Sequence, residues 1–291
     1  MVRPVRFGFN EQTARNNVFQ QKGRESADAV AQQAVEEFDA FVQLLRENGV
    51  TVTVVQDTAE PPTPDSIFPN NCFSVHGSTL VLYPMYARNR QLERDKLLKV
   101  LEQNTFKRVL HLHDLEEFDI ALEGTGSLVL DREHRMAYAC QSPRTNLNTL
   151  WLWASEMDYD FMAFHSQDEQ GTPVYHTNVM MHVGTRQAVV CLASIRDDGE
   201  RHELKARLQQ AGKEVVPITL SQMHRFAGNM LELHNDRGEQ LLVMSQTARQ
   251  SLTPEQTATL SKHTRIISPG IHTIEPVGGG SARCMMAEMF L

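Results

Sequence analysis

The sequence predicts a mixed α/β propeller in one domain, residues 1–291, made of five strand–strand–helix–strand units with five-fold pseudosymmetry. Short strand-like runs begin after a Gly or Asn turn signal at residues 72, 127, 179, 230 and 284, so the spacings are 55, 52, 51 and 54 residues. A second strand-like run and then a helical pattern follow each of the first four. Regular spacing of this kind is typical of repeat proteins, in which no unit can bury its sheet alone.

The N-terminal residues are expected to share a unit with the end of the chain. Residues 5–9 alternate like a strand, and residues 26–48 show a helical pattern with Ser26 as N-cap and Gly49 as its stop. A further strand is predicted at residues 50–55. The last run, residues 284–290, reaches the end of the sequence without a hairpin partner, which residues 5–9 can supply.

The four complete units repeat the same order of elements. The first strands are predicted at residues 72–75, 127–130, 179–183 and 230–233, and the second strands at residues 79–83, 136–140, 188–192 and 240–244. The helices are predicted at residues 91–103, 146–157, 201–211 and 253–263. The third strands are predicted at residues 109–112, 161–164, 214–217 and 265–267.

Composition excludes several classes of protein. The 28 Lys and Arg against 36 Asp and Glu give a formal net charge of -8, so no basic surface favours nucleic acid. No apolar run approaches the ~18 residues of a membrane span, and the first residues lack a signal peptide's apolar stretch, so we expect a cytoplasmic protein. The sequence leaves a homo-oligomer open.

Chemically capable side chains recur near equivalent strand starts. Asp65 lies seven residues before its start, Glu123 four before, His176 three before, and Cys284 at the start itself. Because equivalent starts in a ring of repeats gather at one end of the axis, we expect these four side chains to converge. A thiol with an imidazole base can attack an electrophilic carbon, and paired carboxylates can hold a planar cation.

The motifs around these residues resemble those of a known group. They are Asp65-x-x-Phe68-x-x-Asn71, Glu123-Gly124-x-Gly126, His176-x-Asn178 and Gly279-Gly280-Ser281-x-x-Cys284. Together they resemble the guanidino-group-modifying, or amidinotransferase, superfamily of penteins, over essentially the whole chain. Within it the C-terminal motif is most similar to bacterial citrulline-utilisation hydrolases. The resemblance implies the pentein propeller fold. It also implies a mechanism that needs neither a metal nor an organic cofactor.

The resemblance also implies roles for the residues. Cys284 attacks the guanidino or ureido carbon, Asp65 and Glu123 hold its nitrogens, and His176 protonates the leaving amine and then activates water. Substrate-binding residues are expected at Phe68, at Asn178, and at an Arg clamp for the α-carboxylate. Ser142-x-Arg144-Thr145-Asn146 resembles the carboxylate-binding segment of dimethylarginine hydrolases, and Arg88 or Arg90 occupies the matching stretch one repeat earlier.

Substrate choice depends on Asn178. Arginine deiminases carry an acidic residue two positions after the catalytic His, where this sequence has a neutral amide. That favours the neutral ureido group of citrulline, and hence ornithine as the product, although two carboxylates still suit a guanidinium. An arginine deiminase or dimethylarginine hydrolase, an amidinotransferase, and a non-catalytic pentein that binds a partner are the alternatives.

Other candidate residues have simpler interpretations. Cys72, Cys140 and Cys191 lie inside strand patterns and are expected in the core. His111-x-His113-Asp114 places two imidazoles on one face of a strand, but no third ligand follows at a suitable spacing, so we predict no metal site.

Overall fold

The computed structural model describes residues 1–23 and 25–289. Strands in these residues form four sheets of three strands and one sheet of two. The strands are β1 (Val2–Arg3), β2 (Val55–Gln56), β3 (Phe73–His76), β4 (Thr79–Leu82), β5 (Arg108–His111), β6 (Val129–Asp131), β7 (Met136–Cys140), β8 (Asp160–Phe164), β9 (Met181–Val183), β10 (Gln187–Val190), β11 (Glu214–Pro217), β12 (Leu231–His234), β13 (Gln240–Val243) and β14 (Arg265–Ile267).

Helices connect and cover these sheets. The α-helices are α1 (Ala27–Glu47), α2 (Arg88–Gln91), α3 (Glu93–Leu101), α4 (Gly124–Ser127), α5 (Leu147–Met157), α6 (Thr177–Met180), α7 (Asp198–Gln210), α8 (Leu220–His224), α9 (Gln246–Ser251), α10 (Pro254–Leu260) and α11 (Ile274–Gly278). The 3-10 helices are Pro69–Asn71, Leu112–Phe118, Leu192–Ser194 and Ala282–Met285. None of the helices described is long and apolar enough to cross a membrane. The fold is mixed α/β, as predicted.

Every three-stranded sheet has the same topology. The first two strands form an antiparallel hairpin, and the third strand returns after the helix to pair in parallel with the second. In the sheet of β3, β4 and β5, for example, Leu82 pairs with both Phe73 and His111. The sheets of β9–β11 and β12–β14 repeat this pattern. The predicted order of strand, strand, helix and strand is therefore present in four units.

The starts of these units differ from the prediction. Residues 127 and 179 lie in the short helices α4 and α6, and the strands begin one or two residues later than expected. Helical turns are favoured here because the units pack backbone against backbone: a Cβ on Gly124 would lie 2.5 Å from the Asn70 carbonyl oxygen. Gly124 also has a positive φ of 45°, which glycine adopts without strain.

Both ends of the chain also differ from the prediction. The N-terminal strand is β1, and it pairs in parallel with β2, whereas residues 5–9 form no strand. Pro4 ends β1 because it has no N–H to continue the ladder. The predicted fifth strand is wrong for residues 284–289, where a 3-10 helix, Ala282–Met285, carries Cys284 instead. Phe290, the last residue of that predicted strand, lies outside the described residues.

The long helix α1 positions the segment that carries Cys284. Ser26 caps this helix as predicted, since its side chain accepts the backbone N–H of Ala29. The buried face of α1 packs Phe38 in one apolar cluster with Ile274 of α11. Glu37 accepts the backbone N–H groups of Thr273 and Ile274 at 2.8 and 3.0 Å. The start of α11, ten residues before Cys284, is thereby fixed to α1.

The turns that begin successive units are hydrogen-bonded in series. Asn70 donates to the Thr125 hydroxyl at 3.2 Å, and Asn178 donates to the Thr125 carbonyl at 3.1 Å. Asn229 donates to the Asn178 carbonyl at 3.0 Å, and the backbone N–H of Arg283 donates to Asn229 at 2.9 Å. Side chains from distant parts of the sequence are thus brought to one place.

Candidate active site

A small cavity, of about 10 Å³, lies where these turns meet. It is lined by Asn17, Asp65, Phe68, Asn71, Arg90, Arg144, Tyr175, His176, Gly278, Gly279, Gly280 and Cys284. Six of the residues predicted from the sequence are among them. Of the remaining predicted residues, Glu123 contacts His176 and Asn178 contacts Cys284, but Arg88 lies elsewhere.

The sulfur of Cys284 is surrounded by amide groups. Nδ2 of Asn229 lies 3.3 Å from Sγ, and Nδ2 of Asn178 lies 3.6 Å from it. The preceding glycines make room for this arrangement, because a Cβ on Gly280 would lie 3.0 Å from the Phe68 ring and 3.4 Å from Cβ of Cys284. The side chain is only 3% exposed, so the nucleophile candidate faces an enclosed space.

The other cysteines are buried, as expected of core residues. Burial raises the pKa of Cys140 to about 12 and that of Cys191 to about 11. Burial raises the pKa of Cys72 as well. These thiols stay protonated at neutral pH and are therefore poor nucleophiles.

His176 and Glu123 form a buried pair. Nε2 of His176 lies 2.8 Å from Oε2 of Glu123. Burial alone would raise the pKa of Glu123, but the Arg144 guanidinium and the hydrogen bond from His176 hold it well below its usual range. Burial lowers the pKa of His176 to about 4, against the opposing effect of Glu123. At neutral pH an ionised Glu123 therefore accepts Nε2–H from a neutral imidazole, which leaves the lone pair on Nδ1.

Gly126 explains the spacing of the motif that begins at Glu123. A Cβ on Gly126 would lie 2.7 Å from Nδ1 of His176 and 2.4 Å from Nδ2 of Asn71. Any larger residue would displace the imidazole. Glu123 itself is fully engaged within the protein, since its Oε1 accepts the backbone N–H of Tyr86 at 2.9 Å. This geometry favours orientation of His176 over contact with a substrate nitrogen.

Asp65 and Asn71 each present an unpartnered polar atom. Oδ2 of Asp65 accepts from Asn10 at 2.8 Å and from Thr13 at 3.0 Å, but its buried Oδ1 has no partner among the described residues. Nδ2 of Asn71 is likewise buried and without a partner there. Burial raises the pKa of Asp65, and the nearby Arg90 opposes this rise. An acceptor and a donor are thus available to a ligand in the cavity.

The three candidate arginines have different environments. Arg90 is buried and forms a two-point ion pair with Glu93 at 2.9 and 3.0 Å. Arg144 is also buried, and its Nε and Nη2 donate to Oδ1 of Asn16 at 2.9 and 2.6 Å. The side chain of Arg88 is 64% exposed and pairs with Asp119. Arg88 therefore does not line the cavity with Arg90 and Arg144, because it extends from α2 to the surface.

An N-terminal segment, residues 10–20, contacts several of the residues that line the cavity, and these contacts were not predicted. Asn10 and Thr13 bind Asp65, Asn16 binds Arg144, and Asn17 donates to the Gly279 carbonyl at 3.2 Å. The sequence held one relevant signal: Ala14-Arg15-Asn16 matches Ala87-Arg88-Asn89, so this segment corresponds to one that follows a hairpin. Asn229 was also missed, although it occupies the same register as Asn178, one residue before a predicted strand start.

No group of three His, Cys, Asp or Glu side chains suited to a metal ion occurs among residues 1–23 and 25–289. His111 and His113 lie with their rings 5.3 Å apart, and His113 pairs with Asp114. Burial lowers the pKa of His113.

The fold and the family match define a class of enzyme, the guanidino-group-modifying hydrolases of the pentein superfamily. The family described as N,N dimethylarginine dimethylhydrolase, eukaryotic, matches residues 3–291, and the chain belongs to it. Hydrolases of this family act on C–N bonds of guanidino groups.

The individual relatives have low sequence identity to this chain. The bifunctional arginine dihydrolase/ornithine cyclodeaminase AgrE of Nostoc sp. (strain PCC 7120) is 28% identical over 137 residues, which are 47% of this chain and 18% of that protein. The matched residues thus span less than a fifth of that relative's length.

Solved structures share the fold. The N-terminal domain of ArgZ bound to substrate, an arginine dihydrolase from the ornithine–ammonia cycle in cyanobacteria, has a TM-score of 0.75 at 19% identity, covering 100% of this chain and 98% of that one. The same domain covalently bound to a reaction intermediate gives 0.76 at 19% identity, with coverages of 99% and 95%. A dimethylarginine dimethylaminohydrolase variant in adduct with S-methyl-L-thiocitrulline gives 0.66 at 13% identity, with both coverages 89%.

Proposed function

We propose that this protein hydrolyses the ureido group of citrulline to give ornithine, with Cys284 as the nucleophile. The observation that carries the proposal is the unpartnered amide nitrogen of Asn71. Its Oδ1 accepts from Nη1 of Arg90 at 2.8 Å, and because a guanidinium can only donate, the unpartnered atom at the other end of the amide must be the donor, Nδ2. A ureido group has a carbonyl oxygen to accept this N–H, whereas a guanidinium has none.

The charge of the site supports the same substrate. Nη1 of Arg90 lies 3.8 Å from Glu123, and Nε of Arg90 lies 3.9 Å from Asp65. Nη1 of Arg144 lies 3.4 Å from Glu123. Two buried cations therefore already face the carboxylates that would otherwise attract a guanidinium, and Asn178 adds no further negative charge. A neutral group is the easier one to accommodate.

The reaction proposed for these residues has two stages. Nδ1 of His176 takes the proton of the Cys284 thiol, and the resulting thiolate attacks the ureido carbon. The protonated His176 then delivers that proton to the departing nitrogen, so that ammonia leaves and a thiocarbamate remains on the sulfur. Nδ1 of His176 then takes a proton from water, which attacks the thiocarbamate and releases the thiolate. The product is the carbamate of ornithine, which loses carbon dioxide. Asp65 and Asn71 hold the ureido group, and Glu123 keeps His176 in the required tautomer.

We propose that Arg144 binds the α-carboxylate of the substrate. Oδ1 of Asn16 accepts two N–H groups from this guanidinium, which is where an oxygen of a bound carboxylate would lie. The substrate would thus replace Asn16, and residues 10–20 would have to move to admit it. Arg90 is a poorer clamp, because Glu93 already occupies its fork.

Arginine is the second candidate substrate, and the comparisons favour it. AgrE and ArgZ are described as arginine dihydrolases. Two successive hydrolyses at the guanidino carbon of arginine, the first of which releases ammonia, would pass through a ureido group. Hydrolysis of the ureido group would therefore be common to both candidate substrates, and the same catalytic residues would perform it. The family description makes a dimethylated arginine a third substrate to test.

Product stoichiometry distinguishes these substrates. The purified protein is incubated with citrulline, arginine or dimethylarginine, and ornithine, citrulline, ammonia and dimethylamine are measured. We expect one ammonia and one ornithine from each citrulline. Two ammonia and one ornithine from each arginine would identify a dihydrolase, and dimethylamine would identify a dimethylarginine hydrolase. Conversion of arginine that stops at citrulline, with added citrulline left intact, would refute the proposal. Repeating the assay with glycine or ornithine as acceptor detects an amidinotransferase, and absence of turnover with every substrate favours a non-catalytic protein.

We further propose that residues 1–291 form one domain whose five sheets close into a ring. The hydrogen bonds that join Asn70, Thr125, Asn178, Asn229 and Arg283 in series support this closure. The packing of Phe68 against the glycines before Cys284 supplies the contact that would complete it. We expect such a protein to act in the cytoplasm.

A further inference from the structure

Asn229 is completely buried in the turn before β12, beside the sulfur of Cys284. Its Oδ1 accepts the backbone N–H of Arg283 at 2.9 Å. Its Nδ2 donates to the backbone carbonyl of Asn178 at 3.0 Å and to Sγ of Cys284 at 3.3 Å. Since a backbone N–H can only donate and a carbonyl can only accept, the amide cannot be flipped, and its nitrogen must face the sulfur.

We propose that Asn229 is a further catalytic residue, which stabilises the thiolate of Cys284 by donating an N–H to its sulfur; this rests on the proposed role of Cys284 as nucleophile. A thiol is a weak acceptor, whereas a thiolate accepts a charge-assisted hydrogen bond of roughly twice the strength of a neutral one. The fixed N–H of Asn229 therefore favours the deprotonated sulfur.

Asn178 differs from Asn229 in this respect. Its Nδ2 lies 3.6 Å from Sγ and its Oδ1 lies 3.9 Å from Sγ, so the same side chain can accept from a thiol or donate to a thiolate. Its amide therefore discriminates less between the two forms of the sulfur. Asn229 presents only a donor, at the shorter distance, and is the residue that selects the reactive form.

The expected gain in rate is smaller than the gain in thiolate. Below the midpoint of ionisation, lowering that midpoint by one pH unit raises the thiolate fraction about tenfold. The intrinsic nucleophilicity of the sulfur falls by about threefold over the same change, since rate follows thiol basicity with a coefficient near 0.4–0.5. A net gain of about threefold per pH unit remains. The same hydrogen bonds also hold Sγ at a fixed position for attack.

The test follows alkylation of Cys284 by iodoacetamide as a function of pH, with the modified peptide quantified by mass spectrometry. The variants are Asn229→Asp, which keeps the shape and the acceptor for Arg283, and Asn229→Ala. The matched control is Asn235→Asp, because Asn235 is also buried in this unit and donates to a backbone carbonyl, that of Asn48. Thermal unfolding establishes that each protein is folded.

We expect the midpoint of alkylation to rise by about one pH unit or more in both Asn229 variants and to stay at the wild-type value in Asn235→Asp. A midpoint within about 0.3 pH units of wild type in a folded Asn229 variant would overturn the inference. Alkylation needs no substrate, so this result is independent of the choice between citrulline and arginine. If instead Cys284→Ser retained activity, the proposed function would fail, whatever the alkylation midpoint.

Discussion

Replacement of Asn71 by Asp tests the argument that selects citrulline. The carboxylate keeps the size of the side chain and the acceptor for Nη1 of Arg90, which lies 2.8 Å from Oδ1. It replaces the unpartnered N–H, on Nδ2, by a charged acceptor. The ureido oxygen of citrulline then loses its donor, while the guanidinium of arginine gains a partner. The substitution should therefore change substrate preference more than overall activity.

The magnitude follows from two hydrogen bonds. Citrulline loses one neutral hydrogen bond, which contributes about 1 kcal/mol, and arginine gains one charge-assisted hydrogen bond of about 2 kcal/mol. The two effects add to about 3 kcal/mol. The ratio of kcat/KM for citrulline to kcat/KM for arginine should then fall roughly 150-fold, at 1.36 kcal/mol per factor of ten. Because this quantity is a ratio on one protein, differences in folded fraction cancel.

The assay measures ornithine from citrulline and ammonia from arginine at equal protein concentration. Asn70→Asp is the control, since Asn70 binds Thr125 in the adjacent turn and does not line the cavity. It adds the same charge one residue away. If the ratio moves by less than about fivefold in Asn71→Asp, or by the same factor in both variants, the reasoning from the unpartnered donor is refuted.

Four further outcomes are expected. Cys284→Ser should abolish turnover without unfolding the protein, whereas Cys191→Ser should keep substantial activity in the same assay. His176→Gly, quenched during turnover, should show a covalent adduct on the peptide containing Cys284 by mass spectrometry; an adduct on another cysteine contradicts the mechanism. Arg144→Ala should lower kcat/KM for an α-amino acid by a factor of about 30 to 1,000 more than it lowers kcat/KM for the decarboxylated analogue of the same substrate; equal losses would make Arg144 structural. The pKa of His176 is about 4 in the folded protein, against about 6.5 in the unfolded chain, so the free energy of unfolding should decrease as the pH is lowered from about 6.5 to 4. The decrease should reach about 2 kcal/mol at pH 5. Urea unfolding should show this decrease in the wild type but not in His176→Asn.

The convergence of the catalytic candidates could be predicted because it depends only on the repeat. Residues 51 to 55 positions apart occupy equivalent places in successive units, so the sequence register alone brings Asp65, His176 and Cys284 towards one axis. The prediction did not need correct secondary structure at those places. Short helices stand where strands were expected, yet the side chains line the same cavity.

The arginine positions show where register is insufficient. Arg88 and Arg90 are two residues apart on α2, which is about 200° around a helix, so the two side chains point in nearly opposite directions. One is buried against Glu93, and the other is exposed beside Asp119. A repeat alignment locates the turn of helix but does not determine which face points inward.

Contacts from residues 10–20 could not be predicted for a different reason. Asn10 and Thr13 reach Asp65 across 55 and 52 residues of sequence, through side chains that belong to no regular element. Local patterns carry no information on such pairings. The contacts of Glu123 were likewise not readable from local patterns. Its predicted contact with substrate nitrogens rested on convergence and on the family resemblance, whereas the structure engages its two oxygens with His176 and Tyr86.

The engagement of Glu123 changes the electrostatic argument about the substrate. With Glu123 held by His176 and Arg144, Asp65 is left as the carboxylate with an unpartnered oxygen in the cavity, and burial raises its pKa. A guanidinium would have to draw on this one carboxylate, in the presence of Arg90 and Arg144. A ureido group instead needs one acceptor and one donor, and Asp65 and Asn71 offer these two atoms. Polar atoms that the protein leaves unpaired therefore indicate the substrate more specifically than the total charge of the pocket does.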